Sequence, residues 1–145
     1  MINMIEVNKS DILNILENEI GYSVNLKDGR FLVNNMQNYV SYFWSPLLEI
    51  EITDSMVSIG IPILMIKKNI VEILPGLLQL IQNNEIQLDD NEVHMVSMGK
   101  NLSLNYENGI YTVVDQFSRK ISWGICRDGI YQNLIDIGWY LRNGS

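Results

Sequence analysis

The side chains able to do chemistry in this chain are few, and they fall in four places. These are Glu49 with Glu51, the acidic run Glu85, Asp89, Asp90 and Glu92, a single His94 with Ser97 beyond it, and a single Cys126. Leu48-Glu-Ile-Glu-Ile-Thr53 alternates strictly, so Glu49 and Glu51 share one strand face about 7 Å apart. Paired carboxylates run glycosidic chemistry when one of them is desolvated in a cleft. On an exposed sheet face the same pair presents two point charges to lysines and arginines of another protein. The second acidic run lacks the alternating oxygen ligands, tight-turn glycine and closing glutamate of a calcium loop. It is expected to be a solvated connection, with a partner-facing acidic patch as the functional alternative.

His94 falls in an expected strand from Val93 to Met98. Three residues along a strand point to opposite faces, so His94 and Ser97 do not form a local base and nucleophile. Cys126, in Trp-Gly-Ile-Cys-Arg, has no second cysteine and no histidine nearby and is expected to be a small buried hydrophobe. The chain carries no Gly-x-Gly-x-x-Gly, no phosphate-binding glycine loop and no zinc spacing. No catalytic residue, metal or cofactor is therefore expected. Tyr42, Phe43, Trp44, Trp123 and Trp139 fill core or, where exposed, anchor an interface; Tyr42 and Trp44 are the candidate anchors.

The elements that must position these residues are bounded by composition. A chain of 145 residues lies in the size range of one domain, and no shift in composition divides it, so a single α+β domain over residues 1–145 is expected. The balance of 17 acidic against 10 basic residues, a net charge of -7, disfavours nucleic acid and anionic membranes and favours a basic protein partner. A lone cysteine and the absence of a secretory leader pattern point to the cytoplasm. The most apolar stretch, Met56 to Ile66, is shorter than the roughly 20 residues of a membrane span and is expected to be a buried central strand, with Gly60 and Pro62 marking a bulge or an edge. Alanine is absent and Ile and Asn are abundant, a usage typical of AT-rich genes.

From Ser10 to Ile20, Ile12, Leu13, Leu16 and Ile20 recur at helical spacing behind Asn8 or Ser10, and Gly21 is placed to end the helix. Tyr22 to Leu26 and Phe31 to Val33 flank an Asp28-Gly29 turn signal and predict a hairpin. Tyr39 to Trp44 and Leu48 to Thr53 are expected strands. Asn69-x-x-Glu72 matches a capping box ahead of an apolar run to Ile81, which predicts a central helix broken or kinked at Pro75-Gly76. A polar connection from Gln82 to Asn91 leads to four expected strands, Val93 to Met98, Leu102 to Tyr106, Ile110 to Val114 and Lys120 to Cys126, as an antiparallel meander with a hairpin at Asn108-Gly109. Asp128 is expected to cap a C-terminal helix with a stripe of Ile130, Leu134, Ile137 and Leu141.

An order of helix, strands, helix, antiparallel strands and helix in an acidic chain resembles class I type III secretion chaperones, which implies a cytoplasmic dimer holding an effector. The chain also resembles immunity proteins of bacterial toxin systems, including contact-dependent growth inhibition. That resemblance rests on size, acidity and missing catalytic vocabulary, and it implies stoichiometric capture of a cognate, basic protein toxin. It leaves monomer or dimer open. On this reading Glu49 and Glu51, or Asp89, Asp90 and Glu92, face the toxin around an aromatic anchor. A third possibility, a small hydrolase or transferase, would use Glu49, Glu51 or His94.

Overall fold

The computed structural model describes residues 4–46 and 60–135. The chain divides into two compact units, residues 1–80 and 81–145. Each has its own sheet, and the architecture is an antiparallel-rich α+β fold with two α-helices among the described residues.

The first unit begins with β1 (Met4–Val7), followed by α1 (Lys9–Ile20). The cap residues place α1 as the sequence predicts: the Asp11 carboxylate accepts a hydrogen bond from the Asn8 N–H at 3.2 Å, and Gly21 ends the helix in the left-handed region at φ 78. Ile12, Leu16 and Ile20 are its buried stripe. Then come β2 (Arg30–Asn35), β3 (Val40–Ser45), β4 (Ile61–Lys67) and β5 (Ile70–Ile73), in the sheet order β1-β2-β3-β4-β5. All neighbours are antiparallel. The expected strand at residues 39–44 is β3. Of the strand expected over residues 56–66, β4 is the described part and residues 56–59 lie outside the described residues; of the bulge or edge expected at Gly60 and Pro62, a bulge is present as a register shift in β3–β4, where Tyr42 pairs with Leu64 but Phe43 with Pro62.

Two expectations for this unit fail. Residues 22–33 form no hairpin, because β2 is taken on one side by β1 and on the other by β3; Val24 and Leu26 are buried outside the ladder. The central helix over residues 69–81 is replaced by β5 and a short 3-10 helix, Pro75–Gln79. Asn69 does not cap a helix. With Lys68 it makes the two-residue connection between β4 and β5, and both residues have positive φ, 52 and 64, as a type I′ hairpin turn requires. Beyond it the missing N–H of Pro75 costs nothing at the first position of a helical turn, so the 3-10 helix starts there. The expected strand at residues 48–53, with Glu49 and Glu51, lies outside the described residues.

The second unit contains β6 (Glu85–Gln87), α2 (Asp90–Ser97), β7 (Leu102–Ser103), β8 (Gly109–Val114), β9 (Lys120–Arg127) and β10 (Ile130–Asn133). Its sheet order is β6-β8-β9-β10-β7, with β6 parallel to β8 and the other pairs antiparallel. The β8 and β9 strands lie where the sequence predicts them. The expected strand at residues 93–98 is instead α2, and the four-strand meander is not formed, since β7 pairs with β10 and no hairpin joins it to β8. Asn108 serves another end: its side-chain oxygen accepts a hydrogen bond from the Asp128 N–H at 2.9 Å. Asp128 caps no helix either. Asp128 and Gly129, at φ 52 and 80, form a second two-residue turn that folds β9 onto β10, so Ile130 is in a strand. Ile137, Trp139 and Leu141 lie outside the described residues.

Ile86, Leu88, Val96, Leu102, Leu104, Val113, Cys126 and Tyr131 form the core of this unit, with Val93 and Met95 of α2 packed against it. Tyr131 is fully buried, and its ring lies over Gly124 on the neighbouring strand. A Cβ at Gly124 would collide with that ring and with the Gln132 carbonyl. Gly124→Ala is therefore expected to lower stability by at least about 2 kcal/mol, read from the urea midpoint, because neither neighbour can move without breaking the β9–β10 ladder.

Candidate functional site

Three members of the second acidic run, Asp89, Asp90 and Glu92, sit at one end of α2, while Glu85 is in β6. Eight residues are too few to hold a helix in water by propensity, so its termini and its buried face decide whether it forms. At the N-terminus Asp89 accepts a hydrogen bond from the Glu92 N–H at 2.8 Å, and the Glu92 carboxylate accepts one from the Asp89 N–H at 3.0 Å. This reciprocal box satisfies two otherwise unpaired donors, and the negative charge of Asp89, Asp90 and Glu92 complements the positive end of the helix dipole. At the other end Gly99 N–H donates to the Val96 carbonyl and Lys100 N–H to that of Met95, with Gly99 at φ 77. Asn133 of β10 donates to the Val96 carbonyl at 3.1 Å and accepts from the Tyr131 hydroxyl at 3.0 Å. Burial raises the Tyr131 hydroxyl pKa, so it remains a neutral donor in this chain of bonds. Asn133 thus ties the C-terminal end to the sheet, and the Leu88 N–H, which donates to the Val114 carbonyl at 2.8 Å, ties the residue before the N-terminal box.

Beside the acidic end lies the β8–β9 turn, residues 115–119. Asp115 is 7% exposed, and one carboxylate oxygen accepts from the Phe117 and Arg119 N–H groups, both at 2.9 Å. The other oxygen accepts from Arg119 Nε at 2.6 Å. The Ser118 N–H donates to the Asp115 carbonyl at 3.0 Å, and Ser118 itself has φ 61. An aspartate opening a type I turn that ends in a left-handed residue is a standard three-residue hairpin loop. Burial alone would raise the Asp115 carboxyl, but the hydrogen bonds from Arg119 and from the Phe117 N–H, with the guanidinium charge, outweigh it and hold the group below its ordinary value.

Gln116 joins the turn to the helix. Its amide donates to Asp90 at 3.1 Å, and its carbonyl accepts from the Gln87 side chain at 3.4 Å. Gln87, Leu88, Asp89, Glu92 and Gln116 line an open depression of about 330 Å³. Its walls are rich in acceptors, so it suits a hydrogen-bond donor or a cation.

The structure therefore brings Asp89, Asp90 and Glu92 together; the aromatic candidates Tyr42 and Trp44 belong to the first unit. Trp44 is buried in the first unit, with its indole against Gly29. Tyr42 is half-buried in β3; burial raises its hydroxyl pKa, and the charge of Asp11 raises it further. Trp123 and Cys126 are fully buried, and burial also raises the Cys126 thiol. His94 and Ser97 are both exposed on α2, where residues three apart are neighbours; the expected opposite-face geometry belongs to a strand that is not there. Among the described residues no group of three His, Cys, Asp or Glu side chains is placed to hold a metal ion, and no helix is long and apolar enough to cross a membrane.

The 115–119 turn is not among the elements expected from the sequence. Its signal was present: Asp115 follows one correctly placed strand, Lys120 begins the next, and Phe117 lies between them, where an aromatic has no sheet face to enter. No known protein family, curated protein or solved structure matches the chain.

Two substitutions separate the structural from the electrostatic role of the acidic end. Asp89→Ala is expected to cost about 1 kcal/mol through the lost cap, whereas Asp89→Asn, whose oxygen still accepts the Glu92 N–H, should unfold near the wild-type urea midpoint. Asp115 adds a pH dependence. Because its folded pKa is depressed, its contribution is present above the ordinary aspartate value of about 3.9 and is lost as the pH falls through the folded value. Thermal melts should show Asp115→Asn less stable than wild type at pH 7, with the difference shrinking in acid.

Proposed function

We propose that the chain is a binding protein that captures a basic protein partner, and that this partner is a cognate toxin neutralised by stoichiometric complex formation. The observation that supports this reading is the gathering of Asp89, Asp90 and Glu92 at one exposed, doubly tied helix end around an open, acceptor-rich depression. Carboxylates held this way lose little freedom when a partner arrives, and they add to the field of a chain of net charge -7. Such a field accelerates encounter with a basic surface and disfavours acidic competitors.

The reading is tested by expressing the protein encoded by the adjacent reading frame with and without this chain. The expected outcome is growth arrest relieved by co-expression, a one-to-one complex by size exclusion, and an association rate that falls steeply between low and high salt. Asp89→Asn with Asp90→Asn should slow association several-fold at low salt, roughly tenfold at most, and change it little at high salt. A harmless neighbour that forms no complex would contradict the reading.

A further inference from the structure

Among the described residues Phe117 is the most exposed large apolar side chain, at 77%. It is not on a loose loop: its own N–H is bound by Asp115, and the Arg119 guanidinium lies 5.2 Å from the centre of its ring. The ring is therefore displayed by a turn whose backbone is already fixed, and a cation covers part of it at a distance where ring and cation attract. The charge of Arg119 is balanced by Asp115, so the turn adds no net positive charge beside Asp89, Asp90 and Glu92.

Magnitudes divide the labour between the ring and the carboxylates. An exposed ion pair contributes at most about fivefold to an equilibrium constant. Burying a phenylalanine contributes about 10- to 100-fold. The carboxylates on their own thus set rate and partner sign, and the aromatic ring must supply affinity. Both lie in one patch, since Gln116 bonds to Asp90 and shares the depression with Asp89 and Glu92.

We propose that the 115–119 turn and the adjoining depression form one docking surface for a basic segment of a partner protein. Phe117 packs against the apolar part of that segment, and one Lys or Arg head enters the depression. Its head donates to Asp89, Glu92 and the Gln87 and Gln116 amides. Asp89 and Glu92 each use one oxygen in the helix cap and keep further lone pairs for a donor. The occupant is chosen by charge complementarity, and the proposal rests on the reading above that the chain captures a basic protein.

The experiment uses the full chain and does not need the natural partner. Twelve-residue random peptides are selected on the immobilised protein, with an unrelated domain of equal net charge as the control surface, and the recovered peptides are synthesised as probes. The expected peptides combine Lys or Arg with an apolar residue, shift the amide resonances of residues 87–92 and 115–119, and bind Phe117→Ser at least about 10-fold more weakly. Phe117→Ser should unfold at the wild-type urea midpoint, since the ring is outside the core. Phe117→Tyr, which keeps the ring, should bind within about threefold of wild type. Peptides that bind Phe117→Ser as well as wild type, acidic peptides, or no enrichment over the control surface would each overturn the proposal. So would a dimer, seen by sedimentation, that Phe117→Ser abolishes, because a second copy would then be the occupant. A toxin that binds Phe117→Ser normally would remove this surface and leave the capture reading intact; a neighbour that never binds would remove the capture reading and leave the peptide result to stand or fall alone.

Discussion

An eight-residue helix cannot persist in water unaided, and the acidic end of the second unit depends on that constraint. Helix α2 exists because its N-terminus is closed by the Asp89 and Glu92 box, its C-terminus by Gly99 and Asn133, and its inner face by Val96 in the core. Two of these closures reach the sheet: Asn133 belongs to β10, and Val96 packs in the core with Tyr131 of the same strand. Tyr131 reaches Asn133 only because Gly124 leaves room for its ring, so the position of the helix is traceable to a missing Cβ two strands from the sheet edge. The carboxylates inherit this rigidity. Acidic side chains that would be a solvated run on a loop become fixed features of a surface.

The same economy governs the β8–β9 turn. A buried aspartate normally costs folding energy, and Asp115 is tolerated because Phe117, Arg119 and the guanidinium supply donors to both of its oxygens. What the turn gains is shape: one carboxylate defines the path of five residues and the direction of an exposed ring. Gln116 carries that order across to Asp90, so turn and helix present their polar groups from one framework.

Much of this was legible in the sequence, and the failures share a cause. Helix α1 was readable because its cap, stripe and terminal glycine agree; β3, β8 and β9 were readable because β-branched and aromatic residues fill short runs between turn signals. Residues 69–81 misled because Asn69-x-x-Glu72 satisfies the letters of a capping box, while Asn at φ 64 satisfies a hairpin turn better. Residues 93–98 misled in the other direction: Val93 and Met95 fit a half-buried strand by alternation, and the deciding signal was the true box at Asp89 and Glu92 just before them. Asp128-Gly129 was ambiguous between a helix cap and a turn, and the Arg127 to Ile130 pairing resolved it in favour of the turn. In the candidate site the acidic cluster was legible and its aromatic neighbour was not: the aromatic-rich stretch from Tyr39 to Trp44 points to Tyr42 and Trp44, one half-buried and one buried, while Phe117 stands alone in a loop.

The central claim is that the acidic end of the second unit is the binding face. Amide hydrogen exchange of the full chain, measured with and without the co-purified partner, tests it most directly. The account predicts that slowing on complex formation is concentrated in residues 87–92 and 115–119, on α2 and the β8–β9 turn. Slowing confined to the first unit, with those two segments exchanging as in the free protein, would contradict it.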